Sequence, residues 1–256
     1  MRVTLPPAGL LTLCLALASC AAQPSRQQQS REQADYHYQL SVGHFWAQEI
    51  PFALRELLAA LEQQPNHPEA LFLMGVIYQG RRDYPAAEDY YRRALQANPQ
   101  MYDCQNNLGT VLLAQSRWEE AEALYRELSR IPVYATPEHA HNNLGWALYN
   151  QSRYRESMEQ FQLATEFGPA HCPAWNNLGM AHEQLQNWAE TRRAWEMAVR
   201  QCARYPEPRY RLAVLVLQRD NDVARARALF QECFDQQPDS AWGLRCQEYL
   251  AALGGP

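Results

Sequence analysis

The chain has 256 residues, 47% of them hydrophobic and 20% charged, with a formal net charge of -5. That is ordinary globular composition, and it excludes the basic footprint of a nucleic-acid-binding surface. All 23 basic residues are arginines, so lysine chemistry is absent from any mechanism.

The N-terminal segment MRVTLPPAGLLTLCLALASC carries one early charge, then an apolar run, then small residues ending at Cys20. The run is too short to span a bilayer comfortably and suits the hydrophobic region of a signal peptide. Leu17-Ala18-Ser19-Cys20 resembles a bacterial lipobox, which implies a signal peptide over 1–19 and acylation of Cys20. Ala21 and Ala22 follow, with no Asp to suggest inner-membrane retention, so the expected location is the periplasmic face of the outer membrane. Residues 20–33 are rich in Gln and Ser without apolar periodicity, which predicts a disordered, lipidated tether. Fully extended, such a tether reaches at most roughly 45 Å and would let the folded body work away from the bilayer.

From residue 34 a 34-residue unit repeats, most visibly as NNLG beginning at Asn106, Asn142 and Asn176. With the leucine numbered seven, position eight is always small: Ser41, Gly75, Gly109, Gly145, Gly179, Ala213. Position 20 is Ala53, Ala87, Ala121, Ser157, Thr191 and, after one inserted residue, Ala226. Position 24 is large and apolar: Leu57, Tyr91, Tyr125, Phe161, Trp195, Phe230. Pro65, Pro99, Pro132, Pro169 and Pro238 close units, because proline cannot continue a helix. This pattern resembles the tetratricopeptide repeat, two antiparallel helices (A and B) per unit. The predicted fold is all-α: a right-handed α-solenoid of six repeats at 34–67, 68–101, 102–137, 138–171, 172–205 and 206–240. A last apolar stripe, Trp242, Cys246, Tyr249 and Leu253, predicts a capping helix over 241–253 to cover the final core face.

In that repeat family, positions two, five, nine, twelve and thirteen of helix A line the concave groove. Unit one then offers Tyr38, Val42, Phe45 and Trp46, and unit two adds Phe72 and Val76. Large apolar side chains on a face that should be solvated point to a partner site; the alternatives are an end-cap core or a tether folded back over them. Asn106, Asn142 and Asn176 fall at position five, where their amides could bind an extended peptide backbone or simply be solvated, and Trp146 falls at position nine. The second asparagines, Asn107, Asn143 and Asn177, read as structural links between units. No basic residue occupies an assigned concave position, whereas Asp35, Glu69, Asp103, Glu183 and Glu207 do; a clamp for acidic C-termini is therefore excluded. A hydrophobic or amphipathic segment is the better ligand. Unit three is lengthened around Ser129–Pro137, and Tyr134 can pack or stay exposed.

Cys172 opens helix A of unit five and Cys202 ends its helix B, so antiparallel packing brings them together as a candidate disulfide. Cys233 and Cys246 could also pair, although buried thiols are the preferred reading there. No nucleotide loop, zinc-protease helix, nucleophile elbow or paired C-x-x-C site occurs. His139 and His141 are the one close histidine pair and lack further ligands. The expectation is a non-enzyme without metal, cofactor or small-molecule substrate.

Lipobox, polar tether, six repeats and terminal helix together resemble the type IV pilus pilotin family, also called pilus biogenesis and stability lipoproteins. The more specific part is NNLGTVLLAQSRWEEA, a lengthened loop with VYATPEHA, then NNLGWALYNQSRYRES. The resemblance implies a lipoprotein that helps an outer-membrane secretin reach its membrane and multimerise, holding a secretin segment in the groove of units one and two. The competing reading is a general periplasmic repeat scaffold, for instance one coordinating peptidoglycan enzymes.

Overall fold

The computed structural model describes residues 25–254, which fold entirely into helices, with no strand among the described residues. The helices pair in sequence as α1 (Arg26–Trp46) with α2 (Ile50–Gln63), α3 (Pro68–Gly80) with α4 (Tyr84–Ala97), and α5 (Tyr102–Ala114) with α6 (Trp118–Leu128). They continue as α7 (Pro137–Asn150) with α8 (Tyr154–Phe167), α9 (Cys172–Gln184) with α10 (Trp188–Gln201), and α11 (Pro206–Leu215) with α12 (Val223–Gln236). The last helix, α13 (Ala241–Ala252), packs on α11 and α12. Each pair also packs on the next, so the core runs the length of the solenoid.

Every helical hairpin turns through one residue of positive φ: Gln48, Arg82, Ser116, Ser152, Gln186 and Asn221. Only the last is a residue type that tolerates this conformation well, so at the other turns packing on both sides dictates the backbone. The packing itself rests on position eight meeting position 24. A Cβ placed on Gly75, Gly109, Gly145 or Gly179 would come within 2.3–2.7 Å of Tyr91, Tyr125, Phe161 or Trp195. Removing the side chain lets each ring lie flat on the facing helix, which is why close-packed hairpins of this kind need a small residue there. The polar tips find backbone partners: Tyr125 OH donates to the Asn106 carbonyl at 2.9 Å and Trp195 Nε1 to that of Asn176 at 3.2 Å.

The residue inserted in unit six is absorbed without breaking the helix. The end of α11 widens into a π-helical segment, Val216–Asp220, and the turn follows at Asn221. Arg219 then lies 3.8 Å above the Trp188 ring and Asp220 pairs with Arg192 at 2.7 Å, tying the widened turn back to unit five.

The disorder expected over 20–33 is corrected from Arg26 onward. Helix α1 begins at Arg26, with Ser25 accepting from the Gln28 N–H as its cap, and Ser30 Oγ donates to the Gln63 carbonyl at 2.7 Å. The Gln, Arg and Glu residues of this stretch are good helix formers, and docking against the end of α2 supplies the tertiary contact that composition alone did not reveal. Cys20 and the signal segment lie outside the described residues.

Cys172 and Cys202 are joined across the α9–α10 hairpin, with Cα atoms 5.8 Å apart. Cys233 and Cys246 are joined as well, linking α12 to α13, which corrects the expectation of buried thiols. Both sulfurs are buried where the two helices cross, and that crossing is a tertiary fact. Among the described residues Cys104 is the free cysteine; burial pushes its thiol up to about 12, so it stays protonated and inert.

Candidate binding groove

Helices α3, α5, α7 and α9 touch one another in series, which makes the A helices the inner layer of the curve. The residues assigned to the groove lie on this layer, and the structure divides them into three groups.

The first group is apolar. Tyr38, Val42 and Phe45 of α1 are half-buried and pack on the core formed by Ala53, Leu57, Leu73, Met74 and Ile77, alongside Val76. Tyr38 lies 5.3 Å from the His67 ring, and burial raises its hydroxyl pKa, with Glu69 adding to the effect. Trp46 differs: it ends α1, meets Phe45 edge-on, and is 75% exposed. The end-cap core reading therefore holds in part for Tyr38, Val42 and Phe45, whereas Trp46 is exposed surface. Phe72 of α3 lies 5.9 Å from Tyr91 and borders a cavity of about 320 Å³. That cavity is walled by Met101, Tyr102, Val133 and Tyr134, none of them assigned from sequence. The lengthened loop makes it: Tyr134 turns in, 6% exposed and edge-on to Tyr102, while Val133 beside it is 75% exposed. The signal in the sequence was the two-residue insertion with its tyrosine.

The second group is the asparagine ladder, and for Asn142 and Asn176 the peptide-binding expectation is corrected. Asn142 is 8% exposed and Asn176 1%. Asn143 Nδ2 donates to Asn106 Oδ1 at 3.3 Å and to Tyr125 OH at 3.1 Å, and Asn177 Nδ2 donates to Asn142 Oδ1 at 3.0 Å. The second asparagines of units four and five, Asn143 and Asn177, therefore serve the first asparagines of the units before them, whereas Asn107 has Phe72 at the corresponding position of unit two. The ladder ends where position six changes. Arg211 stands there in unit six, and the Asn176 Oδ1 atom is buried without a partner.

The third group lies at the C-terminal end. Trp146 stacks on Tyr149, ring centroids 5.6 Å apart and nearly parallel, and both lean on the core of units five and six. Arg211 reaches Glu207 at 2.8 Å and Glu183 at 3.9 Å, and lies over the Trp242 ring at 5.7 Å. A basic group therefore does enter the groove, although no assigned concave position carries one. Burial raises the Glu183 carboxyl pKa, opposed by Arg211. With its guanidinium already held by carboxylates, Arg211 is no clamp for an acidic ligand.

No group of three or more His, Cys, Asp or Glu with metal-binding geometry occurs among the described residues. His139 and His171 meet edge to face, centroids 4.6 Å apart, without a third ligand.

Paired helices, a glycine beneath each interior ring and an inner layer of A helices define an α-solenoid of helical hairpins. The chain belongs to the tetratricopeptide repeat family, whose pattern matches overlapping segments 47–102, 73–135, 106–171 and 142–206. Among individual proteins it is similar to the type IV pilus assembly protein PilF of Pseudomonas aeruginosa, 26% identical over 165 residues, covering 62% of this chain and 66% of PilF. It is also similar to the chloroplast repeat protein PYG7 of Arabidopsis thaliana, 22% identical over 195 residues, covering 73% of this chain and 49% of that one. The chain thus spans under two thirds of one relative and about half of the other. The solved structure of Pseudomonas aeruginosa PilF superposes with a TM-score of 0.72 at 19% identity, covering 86% of this chain and 99% of PilF. That of PilW, a widely conserved type IV pilus biogenesis factor, gives 0.73 at 18% identity, covering 84% and 98%. At these identities the two structures speak for the fold.

Proposed function

We propose that this protein is a type IV pilus biogenesis factor acting as a pilotin: a lipoprotein acylated at Cys20, facing the periplasm from the outer membrane, that holds an apolar or amphipathic secretin segment during channel assembly. The observation that carries the assignment to the pilus is the similarity to PilF over 165 residues. The groove supports the ligand class. Its N-terminal end combines Tyr38, Val42, Phe45, Trp46, Phe72 and Val76 with the cavity under the Val133–Tyr134 loop, which suits a side chain or helix face of apolar character. The two disulfides support an oxidising compartment.

The segment is held by burial of its apolar face, so affinity follows buried area and the exposed indole of Trp46 is the first contact. The deciding experiment compares detergent-resistant secretin multimers in outer-membrane fractions of wild type, a deletion strain, Cys20→Ser and Trp46→Ala. Multimers that vanish on deletion and fall with Trp46→Ala support the reading. Multimers unchanged in every strain overturn it.

A further inference from the structure

Among the described residues no helix packs on the backward-facing side of the first unit, and that side is apolar. In later units, position three is Ala70, Cys104, Ala140, Ala174 or Pro208, each buried under the preceding helix B. In unit one it is Tyr36, 62% exposed. Position seven is 1–7% exposed at Met74, Leu108, Leu144, Leu178 and Leu212, yet 37% exposed at Leu40. Tyr36, Leu40 and His44 share one stripe of α1 at four-residue spacing. His44 meets the Phe52 ring of α2 at 5.6 Å, and Phe52 is itself 48% exposed with the Arg55 guanidinium 5.3 Å above it. The polar groups of this face are matched internally: His37 with Glu56, Arg55 with Glu56, His44 with Glu49. What remains open is Tyr36, Leu40 and Phe52.

The same positions exclude one occupant. A further repeat, from this chain or a second copy stacked in register, needs a small residue at position three, and a tyrosine there fills the space its helix B would take. The start of α1 favours another. From Cys20 to Ser25 the chain can span at most about 18 Å, and α1 is 21 residues, about 30 Å long. An acyl group on Cys20 therefore holds this face within reach of the headgroups. Tyrosine and phenylalanine with a neighbouring arginine are side chains suited to the membrane interface. We propose that the N-terminal edge of unit one, Tyr36, Leu40 and Phe52, lies on the membrane surface, so that the lipid and this face together orient the solenoid. The proposal rests on acylation of Cys20 and is independent of what the groove binds.

The test uses the acylated full chain reconstituted in phosphatidylethanolamine–phosphatidylglycerol vesicles. Leu40→Cys is labelled with an environment-sensitive fluorophore, with Ala123→Cys on the outer face of unit three as control. The expected result is a blue shift, and quenching by brominated acyl chains, at position 40 and not at 123. Adding Tyr36→Ser and Phe52→Ser, which remove exposed side chains only, reduces both signals while circular dichroism stays helical. Vesicles that float with the protein while the probe at 40 remains unshifted overturn the membrane contact and leave acylation standing. A chain that does not float overturns both. A shift that appears without vesicles and grows with protein concentration assigns the face to a second copy, which also overturns the proposal.

Discussion

Two neighbouring seams on the outer side of the solenoid use the same positions and close differently. Between units three and four, Glu122 accepts from Arg126 of its own helix at 2.8 Å and from Arg153 of the next unit at 2.6 Å, and Glu156 completes the ring by pairing with both arginines. Burial works to raise the Glu122 carboxyl, but Gln151, Arg126 and Arg153 outweigh it and hold it below the usual range. Between units four and five, Met158, Gln162 and Asn187 stand where Glu122, Arg126 and Arg153 stood. In place of the ring lies a cleft of about 430 Å³ lined by Met158, Trp175, Leu178 and Ala194, with Glu166, His182, Glu190 and Arg193 at its rim. The hairpins beside the two seams are built alike, with Gly145 under Phe161 inside unit four and Gly179 under Trp195 inside unit five. A charged ring is therefore not required at every seam. Between units three and four it closes the outer surface, while glycine and ring packing builds the hairpins on either side.

The largest expected effect breaks what the hairpins beside the two seams share. Gly145→Ala forces a Cβ to within 2.7 Å of the Phe161 ring, and Gly179→Ala to within 2.3 Å of Trp195 Nε1. Each should lower stability by about 2–3 kcal/mol in thermal melts. If Gly179→Ala is clearly milder, the open seam is giving Trp195 room that Phe161 lacks.

Next comes the disulfide beside the open seam. Cys172→Ser with Cys202→Ser should cost about 2–4 kcal/mol, as removal of a link across 30 residues implies, and reductant should have no further effect at that hairpin. Equal stability with and without reductant in the parent chain would show that the link contributes nothing.

A smaller effect sharpens the contrast directly. Glu122→Gln should lower stability by about 1 kcal/mol, more at low salt than at high. Met158→Glu with Gln162→Arg and Asn187→Arg, which copy the ring into the next seam, should gain at most about 1 kcal/mol and shield His182 from solvent. Loss of stability in that triple variant would mean that the apolar cleft floor matters more than the ring above it.

The smallest effect is a pH dependence with two steps. Burial lowers the His182 pKa, and burial with the facing His139 lowers that of His171, although Glu138 opposes it. Each imidazole is therefore protonated more readily in the unfolded chain, and stability falls as pH drops through and below the ordinary histidine value. The carboxylates follow. Arg117 lowers the Glu120 pKa and Arg153 that of Glu156, so their contribution, present above the unfolded value, is lost as pH falls through the lower folded one. Urea midpoints from pH 8 to 3 should show both falls. A His182→Asn variant that keeps the whole upper step would assign that step to His171 alone.

Most of the architecture was legible because the repeat states it many times over. Small residues at positions eight and 20, rings at 24 and closing prolines are each written in several copies, and each answers to one local demand for close helix approach or helix termination. The groove was less legible because a position number gives a direction and not a neighbour. Asn142 and Asn176 face inward as their positions require, yet the next unit's asparagine covers the one and close packing buries the other. Tyr38 and Trp46 looked alike in the pattern and part company because α2 and α3 cover one and not the other.

The sequence by itself determined that this is a chain of helical hairpins, six times repeated and then capped, because periodic burial is a property of spacing. Only the tertiary structure decided which polar atoms are spent between units, which cysteines meet, where the helical body begins, and which seam stays open. Those outcomes depend on side chains from different units arriving at the same place, and no single stretch of sequence contains that encounter.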